Sequence, residues 1–176
     1  MQTGHSILII TGPVGSGKTS AAEAVFDMLS AKKIPSAVID FDWLTAAYPP
    51  PADDRFNFRL GILNLKSILP NYIAKGINLF VIPTVVESEE EIKVFNELIS
   101  GSDIYVVRLK AAPATLHKRL EKREIGSLLN WHKKRALELI EMFESKQLED
   151  LIIDTENKSI ESIAEEILLV WPGKTK

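Results

Sequence analysis

Near the start of the chain an octet, Gly12-Pro13-Val14-Gly15-Ser16-Gly17-Lys18-Thr19, fits the pattern GxxxxGK[ST]. An apolar run, Ile7 to Ile10, precedes it. Behind it, Ala21, Ala22, Val25, Phe26 and Leu29 recur at helical spacing. Strand, glycine-rich turn and helix in that order leave the backbone little choice. Glycine lets the turn close tightly, and its N–H groups then converge at the positive end of the helix dipole. Such a cradle suits phosphate. Lys18 would reach the β- and γ-phosphates of a nucleotide, and the Thr19 hydroxyl would take a place on Mg²⁺. The candidate nucleotide-binding residues here are Gly12 to Thr19 together with Ser20.

Five short apolar runs read as strands: Ser6–Ile10, Ser36–Asp40, Asn78–Pro83, Asp103–Leu109 and Asp150–Asp154. They are continuous rather than alternating, as in strands buried on both faces of a parallel sheet. The segments between them are long enough for crossover helices, which predicts an α/β layered sandwich. Helices are expected over 114–124, with Pro113 at the first position, over 87–98, over 53–75, and from about Leu128. A last helix carries an apolar stripe from Ile160 to Trp171 and ends at Pro172-Gly173. At 176 residues the chain reads as one domain, 1–176.

Two further clusters carry chemistry. Val38-Ile39-Asp40-Phe41-Asp42 is a strand end bearing two carboxylates. In open α/β sheets ligands bind at the carboxyl ends of strands, so Asp42 could orient or deprotonate an attacking hydroxyl. Equally, both aspartates could cap the next helix. Seven of the 21 Lys and Arg residues fall within positions 117–135, among them Arg119 and Arg123, four apart on one helix face. Guanidinium forks suit a transferring phosphoryl group, and this segment could form a short lid around 119–135. A solvated helical face is the competing reading.

Phosphate loop, Asp-x-Asp after the second strand, Arg-x-x-x-Arg after the fourth and Ile152-Ile153-Asp154-Thr155 before the last helix form one pattern. It resembles the small-molecule kinases of the nucleoside monophosphate kinase-like group, such as chloramphenicol phosphotransferase, adenylylsulfate kinase and gluconate kinase. The resemblance implies a P-loop NTPase fold: a three-layer sandwich with a five-stranded parallel sheet in the order 2-3-1-4-5. ATP and Mg²⁺ are implied as co-substrates, with γ-phosphoryl transfer to a hydroxyl of a small molecule. It makes Lys18, Asp42, Arg119 and Arg123 the catalytic set and Thr19 the metal ligand. Asp154 and Thr155 would lie near the adenine. A helical region around 43–75 would cover the acceptor, with Asp40, Asp42, Arg55 and Arg59 as acceptor-binding residues; Arg55 and Arg59, four apart, could bind an anionic acceptor or simply be two exposed arginines. The chain departs from many P-loop proteins at its third strand, where Leu79-Phe80-Val81-Ile82-Pro83-Thr84 offers no carboxylate to support Mg²⁺. Asp40, Asp42 or Glu87 could hold the metal's water shell instead.

Composition excludes several classes. No cysteine is present, so there is no disulfide framework, thiol chemistry or thiolate zinc site. A net charge of −3 argues against general nucleic-acid binding. No basic segment precedes the short first apolar run, and no stretch approaches the length of a membrane span, so a cytoplasmic chain is expected. Two other functions remain open. A nucleic-acid end kinase would share the chemistry but needs a basic groove. A nucleotide-dependent switch or ATPase would need no acceptor, yet Asn157-Lys158-Ser159-Ile160 lacks the aspartate of a guanine reader.

Overall fold

The computed structural model describes residues 4–123 and 126–171. Glu124 and Pro172-Gly173, which the sequence reading used as helix ends, lie outside them. The element order is β1 (Ser6–Thr11), α1 (Lys18–Ala31), β2 (Ser36–Val38), α2 (Phe41–Thr45), α3 (Phe58–Ile73) and β3 (Leu79–Pro83). It continues with α4 (Glu89–Glu97), β4 (Asp103–Lys110), α5 (Pro113–Arg123), α6 (Ser127–Lys146), β5 (Leu151–Asp154) and α7 (Ile160–Val170). All strand pairs are parallel, in the order β2-β3-β1-β4-β5. That is the expected P-loop NTPase arrangement.

The continuous apolar strands serve two cores. Leu8, Ile10, Val81, Val107, Leu109 and Ile153 face α1 and α7. Ile7, Ile9, Phe80, Ile82 and Val106 face α3 and α4. Alternate residues of one strand point to opposite faces, so a run apolar at every position fills both layers. A third, smaller core, with Leu116, Leu120 and Ala136, joins α5 to α6 beside Val14 of the loop.

Element ends differ from the sequence reading for local reasons. β2 stops at Val38 because Asp40 becomes the N-cap of α2, its Oδ1 accepting from the Asp42 N–H at 3.0 Å. β5 starts at Leu151 because the Asp150 carboxylate is used sideways, accepting from the Val106 N–H at 2.8 Å. α3 starts late, at Phe58. Asn57 takes φ 52° and ties its side chain to the Thr45 and Ala47 carbonyls, while Asp54 accepts from the Phe58 and Arg59 N–H groups. α4 starts at Glu89 because Ser88 caps it, its Oγ accepting from Glu91. No helix among the described residues is long and apolar enough to cross a membrane.

Trp171 closes the α1/α7 layer. Its side chain is fully buried, and its indole N–H donates to Ser6 Oγ at 3.1 Å, fastening the end of α7 to the start of β1. Trp171→Ala is expected to destabilise the fold by about 3–5 kcal/mol in urea unfolding. Trp171→Phe, which keeps most of the volume but leaves Ser6 without its donor, is expected to cost about 1–3 kcal/mol.

Candidate functional site

At the carboxyl edge of β1 the chain turns through the loop with Gly12, Gly15 and Gly17 all at positive φ. Gly12 is demanded by space as well as by φ. A Cβ there would lie 2.5 Å from the Leu109 carbonyl oxygen and 2.8 Å from Ser16 Oγ. Ser16 Oγ is buried in this turn with no hydrogen-bond partner among the described residues. The Lys18 ammonium folds back across the loop, donating to the Gly12 and Pro13 carbonyls at 3.1 and 3.3 Å.

Beside the loop, α2 presents two carboxylates, and each has a distinct setting. Asp40 caps α2 with one oxygen and, with the other, accepts from the Thr19 hydroxyl at 3.1 Å. The helix-capping and loop-facing readings of Asp40 therefore hold together. Two hard oxygen donors meet next to the loop, a set that fits Mg²⁺. Among the described residues no cluster of three or more His, Cys, Asp or Glu forms a metal cage. A cation that takes its other ligands from phosphate and water needs none.

Asp42 lines a cavity of about 580 Å³ together with Val14, Lys18, Thr19, Arg123 and residues of the 53–58 turn. Its surface opens into the cavity, but the protein around it displaces bulk water and pushes its carboxyl above the ordinary range, with Lys18 pulling the other way. Burial lowers Lys18 from the ordinary value of 10.5 to about 8, opposed by the charge of Asp42 and reinforced by that of Arg123. Lysine, aspartate and arginine are thus coupled at one point. Asp42 owes its position to Gly61 of α3. A Cβ there would meet Phe41 Cζ and Thr45 Cγ2 at 2.6 Å, so only glycine lets α2 lie this close.

The remaining candidates divide. Arg123 lines both the main cavity and a second groove behind the loop. Arg119 lines only that second groove, with Lys158, Ile160 and Ile163 opposite Gly15 and Ser20. Its guanidinium is fixed there by Thr155, donating to Oγ1 at 2.9 Å and to the carbonyl at 3.0 Å. Thr155 is fully buried, so it positions Arg119 and does not line the groove itself. Asp154 accepts from the Glu156 N–H at 2.8 Å and stays outside the groove.

Arg55 lines the main cavity but Arg59 does not. Arg59 pairs with Asp53 through two hydrogen bonds of 2.8 and 2.9 Å on the exposed side of the turn. Of the aromatic residues near the Asp-x-Asp segment, Phe41 and Phe58 pack with Phe95. Trp43 and Tyr48 are 80% and 94% exposed and stand away from the cavity, whereas Phe41, Phe56 and Phe58 line it. The Tyr48 to Pro51 segment stays on the surface, and the rim begins at Asp53.

Sequence reading missed the far wall. Trp131, His132 and Arg135 of α6 and Glu91 of α4 line the cavity. Arg135 pairs with Glu87 and Glu138 and lies over the Phe56 ring at 4.9 Å. Arg135 was visible as one charge of the basic run. Glu91 and Trp131 carry no local signal, because tertiary packing alone brings them there.

No protein-family model matches the sequence, and no curated protein matches it. Solved structures do. A tunicamycin resistance protein from Deinococcus radiodurans matches with TM-score 0.67 and 18% identity, covering 94% of each chain. A gluconokinase from Sinorhizobium meliloti matches with TM-score 0.65 and 20% identity over 99% of this chain and 94% of its own. The APS kinase of Mycobacterium tuberculosis, solved in complex with AMPPNP and APS, matches with TM-score 0.63 and 24% identity over 93% of this chain and 95% of its own. Such neighbours are P-loop small-molecule kinases. At these identities the likeness shows a shared fold.

The lowered Lys18 value sets a stability signature. Folded Lys18 releases its proton near pH 8, while in the unfolded chain it holds it to about 10.5. Over that window the unfolded state binds more protons, so this group makes stability rise with pH. Lys18→Met is expected to be more stable than wild type at pH 7, and the gap should narrow between pH 8 and 10.5. Chemical denaturation of both proteins across that range checks this.

Proposed function

We propose that the protein is an ATP- and Mg²⁺-dependent kinase that transfers the γ-phosphoryl group to a hydroxyl of a small molecule. The observation that carries this reading is the meeting of Lys18, Asp42 and Arg123 in one cavity at the mouth of the loop. A module that only binds nucleotide gains nothing from a carboxylate beside the phosphate-facing lysine, where it repels the phosphates. A kinase needs it to hold the incoming hydroxyl in line with the γ-phosphate. The names of the gluconokinase and the APS kinase attach the same fold to small hydroxyl acceptors, which supports the reading.

The loop amides and Lys18 would bind the β- and γ-phosphates, with Ser16 Oγ free to donate to them. The base would lie in the second groove, against the Arg119 guanidinium and Ile160. Thr19 and Asp40 would hold the metal, Thr19 directly and Asp40 through its water shell. A bound Mg²⁺ would supply neutralisation of the negative charge on the phosphates.

Asp42 would accept the hydrogen bond of the acceptor hydroxyl and take its proton as the new P–O bond forms and the bond joining the γ-phosphorus to ADP breaks, ADP leaving with that oxygen. Arg123 would offset the charge on the transferring group. The proposed lid, around 119–135, would exclude water and keep ATP from being hydrolysed when no acceptor is bound.

ADP release from ATP–Mg²⁺ against a panel of hydroxyl compounds, with Lys18→Ala as the blank, tests the reading. Asp42→Asn is expected to lower transfer by about 10²–10⁴-fold with little change in ATP affinity. Full activity in that variant sinks the role of Asp42. In wild type the acid limb of the rate profile should lie above the ordinary carboxylate range, because the environment of Asp42 favours its protonated, inactive form. Asp40→Asn should raise the Mg²⁺ concentration for half-maximal rate by about 10–100-fold. An unchanged Mg²⁺ requirement would separate Asp40 from the metal.

A further inference from the structure

The cations around the main cavity are not equivalent. Lys18 is folded onto the loop carbonyls, where it would serve the donor phosphates. Arg123 faces both the cavity and the groove behind the loop. Arg135 is held by Glu87 and Glu138. Arg59, which spacing alone would put beside Arg55, is held outside by Asp53 and Asp54. Arg55 differs from all of these. Its guanidinium lies over the Phe56 ring at 5.2 Å and over the Trp131 ring at 5.6 Å. Among the described residues no carboxylate forms an ion pair with it.

We infer that the acceptor carries an oxyanion, a carboxylate or a phosphate monoester, and that Arg55 receives it; this rests on the kinase reading of the same cavity. Aromatic rings against a guanidinium shield its π-faces and fix its plane. Its N–H edge stays open, and that edge is the part that grips two oxygens of an oxyanion at once.

The carboxylates of the cavity argue the same way, because nearly all are engaged. Asp53 is taken by Arg59, and Asp54 by the Phe58 and Arg59 N–H groups. Glu87 is paired with Arg135. Glu91 accepts from the Glu87 N–H at 2.7 Å, and burial pushes its carboxyl upward, towards the neutral form. A cationic acceptor would find only Asp42, which the transferred hydroxyl needs. An anionic acceptor finds Arg55 unmatched. Phe56 and Trp131 then offer apolar wall to the carbon frame between anion and hydroxyl.

The test is binding without ATP, by calorimetry, to matched pairs of hydroxyl compounds: glycerate with glycerol, gluconate with glucose, and adenosine 5′-phosphate with adenosine. In wild type at least one anionic member should bind about tenfold or more tightly than its neutral partner. The carboxylate and phosphate pairs distinguish the two oxyanions. R55Q should abolish the preference, R55K should keep part of it, and R59Q should keep it whole. Trp131 fluorescence should respond to the anionic member in wild type and not in R55Q. The inference is overturned if no anionic member is preferred, or if the preference survives in R55Q. The kinase reading fails on a different result. If the preferred compound binds through Arg55 and yet stimulates no ADP release from ATP–Mg²⁺, the oxyanion site stands and the transfer does not.

Discussion

The close approach of Gly12 to the Leu109 carbonyl is the constraint on which the rest of the site depends. β1 and β4 run side by side in register, Thr11 opposite Arg108, so the first residue of the loop leaves its strand against the last turn of its neighbour. No side chain fits between them. Because β4 leads straight into α5, that contact fixes the origin of α5, and with it Arg119 and Arg123, relative to the loop. Leu116 and Leu120 pack below Gly15 and repeat the same link one turn further on. The cationic wall is therefore built on the strand that touches the phosphate loop, and it moves only by hinging beyond that contact.

A second consequence concerns charge. Lys18 is stabilised by two carbonyls and two aspartates but destabilised by burial and by Arg123, and the balance leaves it well below its ordinary value. Asp42 is displaced in the opposite sense by its own loss of water. Neither group is at ease in the folded chain, and both are held there by backbone they do not control. Perturbed groups that meet in a cleft mark it as a candidate functional site. Arg108 makes the contrast. It is also buried, but it lies on Phe143 and pairs with Glu149 at 3.1 Å, which makes it a structural tie between β4 and the segment after α6.

Much of this was legible in the residues. The five strands announced themselves because strands covered on both sides are apolar throughout, and the loop did so because its geometry requires glycine at fixed places. Ends were less legible wherever a side chain competed with the backbone, as Asp40, Asp54, Ser88 and Asp150 do. Spacing alone could not separate Arg55 from Arg59. They are four apart, as on one helix face, yet Asn57 breaks the helix between them and sends Arg59 back to Asp53. Nor could it separate Arg119 from Arg123, because the partner that fixes Arg119 is Thr155, 36 residues away. Long-range partners decide which members of a charged cluster face a ligand, and a single sequence does not contain them.

The position of Asp42 carries the argument furthest. α2 is one turn of helix, far too short to be stable alone. It persists because Asp40 caps it, because Phe41 is buried with Phe58 and Phe95, and because Gly61 admits it to the surface of α3. Asn57 and Asn64 bind the carbonyls that its end leaves unpaired. The carboxylate proposed to meet the acceptor hydroxyl thus rides on a small element packed between the phosphate loop and the region proposed to cover the acceptor. The Gly61 contact ties α2 to α3, and the Thr19–Asp40 hydrogen bond ties it to the loop. Asp42 is therefore placed by both neighbours at once.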